Sequence, residues 1–366
     1  MNWSGRRKDG RMNAVVCDRP GRFLQVRLPA PERPGPGEAL IRIRRVGICG
    51  TDYHAFAGRQ PFFTYPRILG HELAGTVEAV SPEKAEWPPD NPYDGESPGH
   101  APLRPGDQIV VIPYLHCGRC VACRSGKTNC CAHLRVLGVH TDGGMRDLMT
   151  VPLSVLIRTD GLTLDQAAVM EPLAIGAHAV RRADVHPGEN VLVIGAGPIG
   201  LGIMAFAKRR GARVIAMDLN RERLAFCRTW AGADETVLAG EGAAERVVSL
   251  TDGEGPTVVF DATGNARSMI DAFNDVAHGG RLVFVGVVKD DIVFSDPEFH
   301  RRELTLLASR NATLADFWTV RGALLDGSLD ASRYISHRAS RKEFLERWNE
   351  WQNPVSGVIK AMVEWD

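Results

Sequence analysis

Residues 190–218 read NVLVIGAGPIGLGIMAFAKRRGARVIAMD, and this stretch decides the fold of the second half of the chain. The apolar run VLVI predicts a buried strand, the glycine-rich turn after it opens a helix, and RVIAMD predicts a second strand. The same alternation continues downstream in TVVFDATG, GGRLVFVGVV and ELTLLASR. Strands that alternate with helices predict a parallel sheet with helices on both faces, so we expect a doubly wound α/β domain here.

The glycine-rich turn has the spacing G-x-G-x-x-G. Between a strand and a helix this spacing predicts a dinucleotide site, because N–H groups at the helix N-terminus must face the pyrophosphate and side chains there would block its approach. The candidate contacts in this turn are Gly195, Gly197, Pro198, Ile199 and Gly200.

Two further residues predict which dinucleotide binds. Asp218 ends the second strand, where a carboxylate accepts hydrogen bonds from the adenosine ribose hydroxyls and repels a 2′-phosphate. The cofactor is therefore expected to be NAD rather than NADP. Arg223, at the start of the next helix, is a candidate on the adenosine side. A glycine-rich turn followed by a surface aspartate is the alternative interpretation.

The first part of the chain, up to about residue 156, has a different texture. Short β-rich runs such as FLQVRL, ALIRIRRVGI and DQIVVIPY are broken by Gly and Pro, which predicts an irregular antiparallel barrel. The last residues return to two helices and a terminal strand, which we expect to rejoin the first domain. The predicted domains are therefore 1–156, 157–310 and a C-terminal segment, 311–366, that completes the first. Residues 81–107 carry seven prolines and predict a long surface loop.

Composition excludes several classes of partner. The 44 Lys and Arg residues balance 44 Asp and Glu residues, so the chain lacks the basic field that nucleic acid attracts. No apolar run approaches the roughly 18 residues of a membrane-spanning helix, and the N-terminus lacks the apolar core of a signal peptide. We expect a cytoplasmic protein without a nucleic-acid or membrane partner.

A cluster of cysteines predicts a structural zinc site. Four thiolates within a short loop can close a tetrahedral shell around zinc and leave no open position. A chance cluster or a catalytic thiol pair is the alternative, and Cys130 competes for the fourth position. The spacing favours Cys117, Cys120, Cys123 and Cys131.

A second set of metal-ligating residue types lies earlier in the chain. Cys49, His71 and Glu72 offer sulfur, nitrogen and oxygen, and such a mixed set can leave a fourth position for water or substrate, as catalytic zinc requires. Glu171 is a further carboxylate in an otherwise apolar helix, where it needs a partner. Taken singly, each residue could instead be an ordinary buried or surface side chain.

These motifs, in this order along the chain, resemble the zinc-dependent medium-chain dehydrogenases, which include alcohol, polyol and threonine dehydrogenases. The resemblance implies a GroES-like catalytic domain, a Rossmann coenzyme domain and a cleft between them. It implies that Cys49, His71 and Glu72 hold a catalytic zinc, and that Glu171 corresponds to the polyol-dehydrogenase glutamate near the metal. Whether Glu171 binds zinc directly stays open. Thr51 and His54 resemble the proton relay of the family.

Finer motifs, among them RQPFFTYPRILGHE, VLGVHTDGGM and SRNAT, resemble the bacterial L-galactonate 5-dehydrogenase group. This resemblance implies oxidation at C5 of an aldonate such as L-galactonate or L-gulonate to a keto-acid. A threonine or polyol (sorbitol or butanediol) dehydrogenase is the first alternative, and a zinc-stapled NAD sensor without catalysis is the second. Family members are usually dimers or tetramers, so a homo-oligomer is expected.

A sugar acid carries a carboxylate, which arginine commonly binds through two hydrogen bonds. The candidate substrate residues are Arg310, Asn311 and Arg59, with Arg67 and His300 as further possibilities.

Overall fold

The structure is a computed structural model that describes residues 9–60, 63–82 and 102–366. Of the proline-rich segment expected to form a surface loop, residues 83–101 lie outside this description, as do residues 1–8 of the N-terminal extension. The chain forms two compact units. Unit 1 comprises Met1–Glu171 and Ala331–Asp366, and unit 2 comprises Pro172–Asp330.

Strands and helices are numbered along the chain. The strands are β1 (Arg11–Arg19), β2 (Arg22–Pro29), β3 (Glu38–Ile48), β4 (Arg67–Ile68), β5 (Glu72–Val80), β6 (Gln108–Val111), β7 (Tyr114–Leu115), β8 (Arg135–Val136), β9 (Leu148–Pro152), β10 (Leu156–Arg158), β11 (Asn190–Ile194), β12 (Arg213–Asp218), β13 (Glu235–Leu238), β14 (Val258–Asp261), β15 (Arg281–Phe284), β16 (Thr305–Ala308), β17 (Ile335–Ser340) and β18 (Lys360–Glu364). The helices are α1 (Gly50–Phe56), α2 (Val121–Arg124), α3 (Leu164–Ala168), α4 (Met170–Arg182), α5 (Pro198–Arg209), α6 (Arg221–Phe226), α7 (Ala243–Leu250), α8 (Ala266–Asp275), α9 (Asp296–Arg301), α10 (Leu314–Leu325), α11 (Ala331–Tyr334) and α12 (Phe344–Gln352).

The main sheet of unit 1 has the order β10-β6-β5-β3-β18-β17, and β9 also pairs with β3. Its pairs are antiparallel except β17 and β18, which run parallel. Ile41 and Ile43 of β3 are fully buried, whereas Arg42 between them is partly exposed, as expected for a strand with one face on the core. This sheet confirms the β-rich, mainly antiparallel first domain.

The sheet of unit 2 has the order β13-β12-β11-β14-β15-β16, and every pair is parallel. Its core includes Leu192, Ile215 and Val259, one from each of three central strands, packed with Phe273 of α8. The strand order reverses beside β11, which creates the switch point at which such sheets bind ligands. The doubly wound α/β prediction is confirmed.

The two units divide later in the chain than the expected boundaries at 156 and 310. Residues 157–171 stay in unit 1, because β10 pairs with β6 and Asp165 of α3 binds Arg45 of β3. Helix α10 belongs to unit 2 rather than to the C-terminal part of unit 1. Asp316 of α10 lies 2.9 Å from Nδ1 of His178 and accepts a 2.8 Å hydrogen bond from Nε of Arg181, both on α4.

None of the helices in the described part of the chain is both long enough and apolar enough to span a membrane.

Candidate metal and cofactor sites

Strand pairing brings Cys49, His71 and Glu72 together in unit 1. Cys49 follows β3 and caps α1, while His71 precedes β5 and Glu72 begins it. Gly47 of β3 pairs with Glu72 in the antiparallel register. The three ligand atoms lie within 4.8 Å of one another, and His71 and Glu72 are buried. Sulfur, nitrogen and oxygen donors at this separation suit a zinc ion, which would bring each of them to about 2.0–2.3 Å.

Glycine at position 47 leaves room for the carboxylate of this group. A Cβ placed on Gly47 would lie 2.1 Å from Oε2 of Glu72. Any larger residue would therefore displace the carboxylate.

Asp52 of α1 supports two members of the group and was not singled out from the sequence. Its Oδ2 accepts a 2.9 Å hydrogen bond from the backbone N–H of Cys49, and its Oδ1 lies 3.7 Å from Nδ1 of His71. Burial raises the pKa of the Asp52 carboxyl, and the neighbouring His71 opposes that shift. An aspartate that faces Nδ1 leaves Nε2 of the imidazole for a metal. The available signal was its position three residues after Cys49, where it forms a capping contact.

Lys360 of β18 is a second residue that the sequence did not reveal. Its Nζ donates to both carboxylate oxygens of Glu72 at 2.6 and 2.8 Å, and to the backbone oxygen of Ile48 at 3.0 Å. Only 1% of the Lys360 surface is exposed, so this cation compensates a buried carboxylate. A single lysine inside the apolar run GVIKAMVEW was the signal in the sequence.

Glu171 is buried beside this group but is not one of its three members. The hydroxyl of Tyr114 donates to its Oε1, whereas Oε2 has no hydrogen-bond partner among the described residues. Burial raises the pKa of Glu171 to about 7, and His71 opposes this shift. The carboxyl thus has one oxygen available for a ligand that enters the site.

Thr51 and His54 lie on α1, next to Cys49. Thr51 is half-buried and His54 is exposed, and their spacing of three residues places them on the same side of the helix. Arg59 follows this helix and is exposed, and its backbone N–H donates to the oxygen of His54 at 2.8 Å.

The second cluster in unit 1 consists of thiols in the loop between β7 and β8. Their ligand atoms all lie within 4.8 Å of one another, and the Sγ–Sγ distances of Cys120–Cys123 and Cys117–Cys131 are both 3.5 Å. These distances are too long for disulfide bonds and suit a shared metal ion. Cys130 is exposed and outside the group, so the fourth position is occupied by Cys131. The group comprises Cys117, Cys120, Cys123 and Cys131.

The glycine-rich turn of unit 2 follows β11 and opens α5. Gly195 has a φ of +100°, and a Cβ on Gly200 would lie 1.8 Å from the backbone oxygen of Gly195. Gly197 caps α5, with open space where its Cβ would be, and Pro198 and Ile199 form the first turn of the helix. The turn therefore places glycine backbone, rather than bulky side chains, at the start of α5, where helix N–H groups can contact a pyrophosphate.

Asp218 ends β12 and holds this turn. Its Oδ2 accepts from the backbone N–H of Ala196 at 2.6 Å, and its Oδ1 accepts from that of Asn220 at 2.8 Å. The carboxylate is therefore fixed beside the turn, where ribose hydroxyls are bound in such folds. Arg223 lies nearby in the sequence on α6 and is half-buried.

The remaining candidates lie elsewhere. Arg310 and His300 are exposed in unit 2. Asn311 follows β16 with a φ of +53°, and its Nδ2 is buried without a partner among the described residues. Arg67 lies on β4 in unit 1, where it contacts Thr64 and Asp142.

Comparisons with known proteins match both halves of the chain. Residues 35–161 match the alcohol dehydrogenase GroES-like domain, and residues 198–324 match the zinc-binding dehydrogenase domain. L-galactonate-5-dehydrogenase of Escherichia coli K12 is 42% identical over 89% of this chain and 91% of its own length. D-altritol 5-dehydrogenase of Agrobacterium fabrum is 33% identical over 91% of this chain and 94% of its own. A solved short chain alcohol dehydrogenase from E. coli CFT073, complexed with NADH, superposes with a TM-score of 0.85 at 26% identity and covers 97% of this chain and 100% of that one.

Proposed function

Because the chain belongs to the zinc-dependent medium-chain alcohol dehydrogenases, NAD-dependent oxidoreductases that act on CH–OH groups, we propose that its substrate is a sugar acid. The reaction is the oxidation of the C5 hydroxyl of an L-galactonate- or L-gulonate-like aldonate to a keto-acid, with NAD as hydride acceptor. The observation that carries this proposal is the Cys49–His71–Glu72 group in a chain 42% identical to an L-galactonate-5-dehydrogenase.

Cys49, His71 and Glu72 would hold the catalytic zinc. The thiolate, imidazole and carboxylate fit the ion, and a three-residue set leaves a position for substrate. Zinc bound there would supply Lewis acidity, which lowers the pKa of the substrate hydroxyl toward neutrality. Glu171, with one oxygen free of partners in the described part of the chain, would receive a hydrogen bond from the substrate or complete the metal set.

The proton of the hydroxyl needs a route to solvent. Thr51 is half-buried and His54 is exposed on the same side of α1, so the pair leads outward from the metal group. We assign the first transfer to the Thr51 hydroxyl and the final uptake to the His54 imidazole, because histidine is the side chain that most often serves as a general base.

The cofactor would bind at the turn after β11. The N–H groups at the start of α5 would contact the pyrophosphate, and the Asp218 carboxylate would accept from the ribose hydroxyls. Fixed by two backbone N–H donors, this carboxylate would repel the 2′-phosphate of NADP.

The carboxylate of the substrate requires donors of its own. We retain Arg59, Arg310 and Asn311 as candidates; the buried Nδ2 of Asn311, without a partner among the described residues, is a donor available to a ligand. Arg59 and Arg310 are exposed, as a side chain that meets substrate from solvent requires.

The second metal group would hold a structural zinc. All four of its ligands are thiols, so the shell has no open position, and its role would be to stabilise the loop between β7 and β8. The protein would thus carry two zinc ions per chain.

A homo-oligomer is supported by the edge of the parallel sheet. Strand β16 forms that edge, its Leu306 is exposed, and Val293 and Phe294 in the preceding segment are exposed as well. An apolar sheet edge of this kind favours pairing with a second copy of the chain. The assembly would be a dimer or a tetramer acting in the cytoplasm.

The experiment is to measure NADH formation by the zinc-loaded protein with L-galactonate, L-gulonate, D-gluconate, sorbitol, L-threonine and 2,3-butanediol, each with and without a chelator. Chelator-sensitive turnover of one aldonate above the other compounds is the expected result. Cys49→Ser should abolish turnover while NAD binding persists. Turnover confined to a polyol would keep the chemistry and replace the substrate class, as the similarity to D-altritol 5-dehydrogenase suggests. NAD binding without any turnover would favour a sensor.

A further inference from the structure

Arg146, in the loop before β9, is half-buried and makes few hydrogen bonds. Its only side-chain hydrogen bond in the described chain runs 3.4 Å from Nη2 to the backbone oxygen of Asp142. Its Nε is buried and has no partner among the described residues. Burial lowers the pKa of Arg146, and Asp142 alone opposes that shift.

A second arginine lies on the strand next to the same loop. Nη2 of Arg67 donates to the hydroxyl of Thr64 at 2.7 Å, and its Nη1 lies 3.4 Å from Oδ1 of Asp142. The Nε of Arg67 is buried without a partner in the described part of the chain, as is Oγ1 of Thr141 in the loop. Three buried polar atoms in the segments around Asp142 thus have no hydrogen-bond partner among the residues that the structure describes.

The charges of these residues do not balance. Arg67 contacts the Asp142 carboxylate, whereas Arg146 donates to the backbone oxygen of the same residue. The Asp142 side chain is 45% exposed and also accepts from the backbone N–H of Ile68. Asp147, next to Arg146 in sequence, is engaged elsewhere by Asn13 and Trp365. A buried polar atom without a partner is destabilising, so an anion that accepted hydrogen bonds from these groups would stabilise this arrangement.

We propose that Arg67, Arg146 and Thr141 form a binding site for a small oxyanion, either a carboxylate or a phosphate. A guanidinium group offers paired N–H donors whose geometry matches two oxygens of such an anion. The hydroxyl of Thr141 supplies a further donor. An anion bound there would accept hydrogen bonds from the two Nε–H groups and the Thr141 hydroxyl, which have no partner among the described residues.

This site is linked to the catalytic group through the backbone. Gly143 donates from its N–H to the oxygen of Ile68 at 2.8 Å, and Gly144 donates to the oxygen of Gly70 at 2.9 Å. Gly70 immediately precedes His71, and a Cβ on Gly143 would lie 2.2 Å from the oxygen of Gly70. The loop is therefore packed closely against the segment that carries a metal ligand.

The oxyanion has two possible sources with the same chemistry. It is either the carboxylate of the substrate, in which case the inference rests on the proposed function, or a free ion such as inorganic phosphate. The two sources differ in kinetics, because only the first makes the affinity for a sugar acid depend on Arg67 and Arg146.

The test compares Arg146→Met and Arg67→Met with the wild type and with Arg267→Met as control. Arg267 lies in unit 2 with its side chain 83% exposed. Inorganic phosphate is titrated into zinc-loaded protein without NAD, and binding is followed by calorimetry and by thermal denaturation. Saturable binding by the wild type and the control, weakened at least tenfold in both variants, is expected if the site takes a free ion.

The second arm measures KM for L-galactonate and for the uncharged galactitol. A rise of at least tenfold for the acid alone in Arg146→Met would identify the substrate carboxylate as the anion. Should Arg146→Met fail to fold, two milder variants take its place in both arms. Thr141→Val removes the hydroxyl donor, and Arg67→Lys removes the Nε–H and the paired guanidinium geometry while it keeps the charge. The proposal is overturned if neither arm depends on these residues. In that case the wild type binds no phosphate saturably, or the variants bind it as tightly as the wild type does, and KM for the acid is the same in the wild type and the variants. Phosphate binding is measurable even if none of the sugar acids is a substrate, so the two proposals fail separately.

Discussion

The Nζ atom of Lys360 lies 2.6 and 2.8 Å from the two carboxylate oxygens of Glu72, with both side chains buried. The two residues are far apart in the sequence, and the pairing of β18 with β3 brings them together. The negative charge of Glu72 is therefore balanced by Lys360 before any metal binds. With a metal ion bound, the carboxylate would interact with two cations, the lysine and the metal.

Replacement of Lys360 tests this compensation. Lys360→Met leaves Glu72 buried without its cation, and we expect the free energy of unfolding of the zinc-free protein to fall by roughly 3–5 kcal/mol. Urea denaturation measures the change. Lys342→Met, at an exposed position, is the control and should change stability by less than about 0.5 kcal/mol. Equal stability of the two variants would show that the ion pair contributes nothing.

The four-cysteine group in the loop between β7 and β8 predicts that replacing Cys123 and replacing Cys130 will have different effects on zinc content and melting temperature. Cys123→Ser should reduce the zinc content from two ions to one and lower the melting temperature, because it removes a ligand of the structural site. Cys130→Ser is the matched control, since Cys130 is exposed and outside the group. Elemental analysis and a thermal melt report both effects. A full zinc content in Cys123→Ser would contradict the assignment.

The cofactor preference depends on Asp218. Asp218→Ser removes the acceptor for the ribose hydroxyls and the repulsion of a 2′-phosphate, so KM for NAD should rise about 10- to 100-fold while NADP becomes usable. Initial rates with each cofactor give the ratio. The control Asp271→Asn changes an exposed carboxylate that pairs with Arg267. An unchanged NAD-to-NADP ratio in Asp218→Ser would remove this residue from the cofactor site.

The stability of unit 2 is expected to depend on pH because of the Asp316 carboxyl. Burial opposes ionisation, but hydrogen bonds from His178 and Arg181 hold the pKa of the Asp316 carboxyl well below its ordinary value of 3.8. A carboxyl with a lowered pKa contributes stability that is complete above about pH 5 and is lost as the pH falls through and below its ordinary pKa.

The variant that tests this dependence is Asp316→Asn, whose free energy of unfolding at pH 7 should be lower than that of the wild type by on the order of 3 kcal/mol. The difference from the wild type should shrink as the pH falls from about 5.5 to 3, because the Asp316 carboxyl of the unfolded wild-type chain takes up a proton there while the native carboxyl, with its lowered pKa, stays ionised. Denaturant unfolding at a series of pH values gives this difference. A difference that stays constant with pH would mean that the charge of Asp316 is not what stabilises α10 against α4.

The sequence predicted those parts of the molecule whose signal is local. The strand–helix–strand pattern of residues 190–218 predicted the parallel sheet, and short spacing predicted the four-cysteine group. The Cys49, His71 and Glu72 group was predicted from its residue types and from the family resemblance. Asp52 and Lys360 were not recognised because their roles depend on distant partners. The partner of Asp52 is the histidine that precedes β5, and that of Lys360 is a glutamate almost three hundred residues away. Helix α10 was expected in the wrong unit for the same reason, since its place is set by the contact of Asp316 with α4.

Unit 1 is built from two separate stretches of the chain, with unit 2 between them, and this affects the order in which the units can fold during synthesis. Unit 2 is a continuous segment and can fold as soon as it leaves the ribosome, because domains generally fold as units during translation. Strands β3 and β5 emerge first, yet they must wait for β18 before Glu72 meets its lysine. The buried ion pair between Glu72 and Lys360 therefore forms only after the whole of unit 2 has been synthesised, so unit 1 would be completed after unit 2.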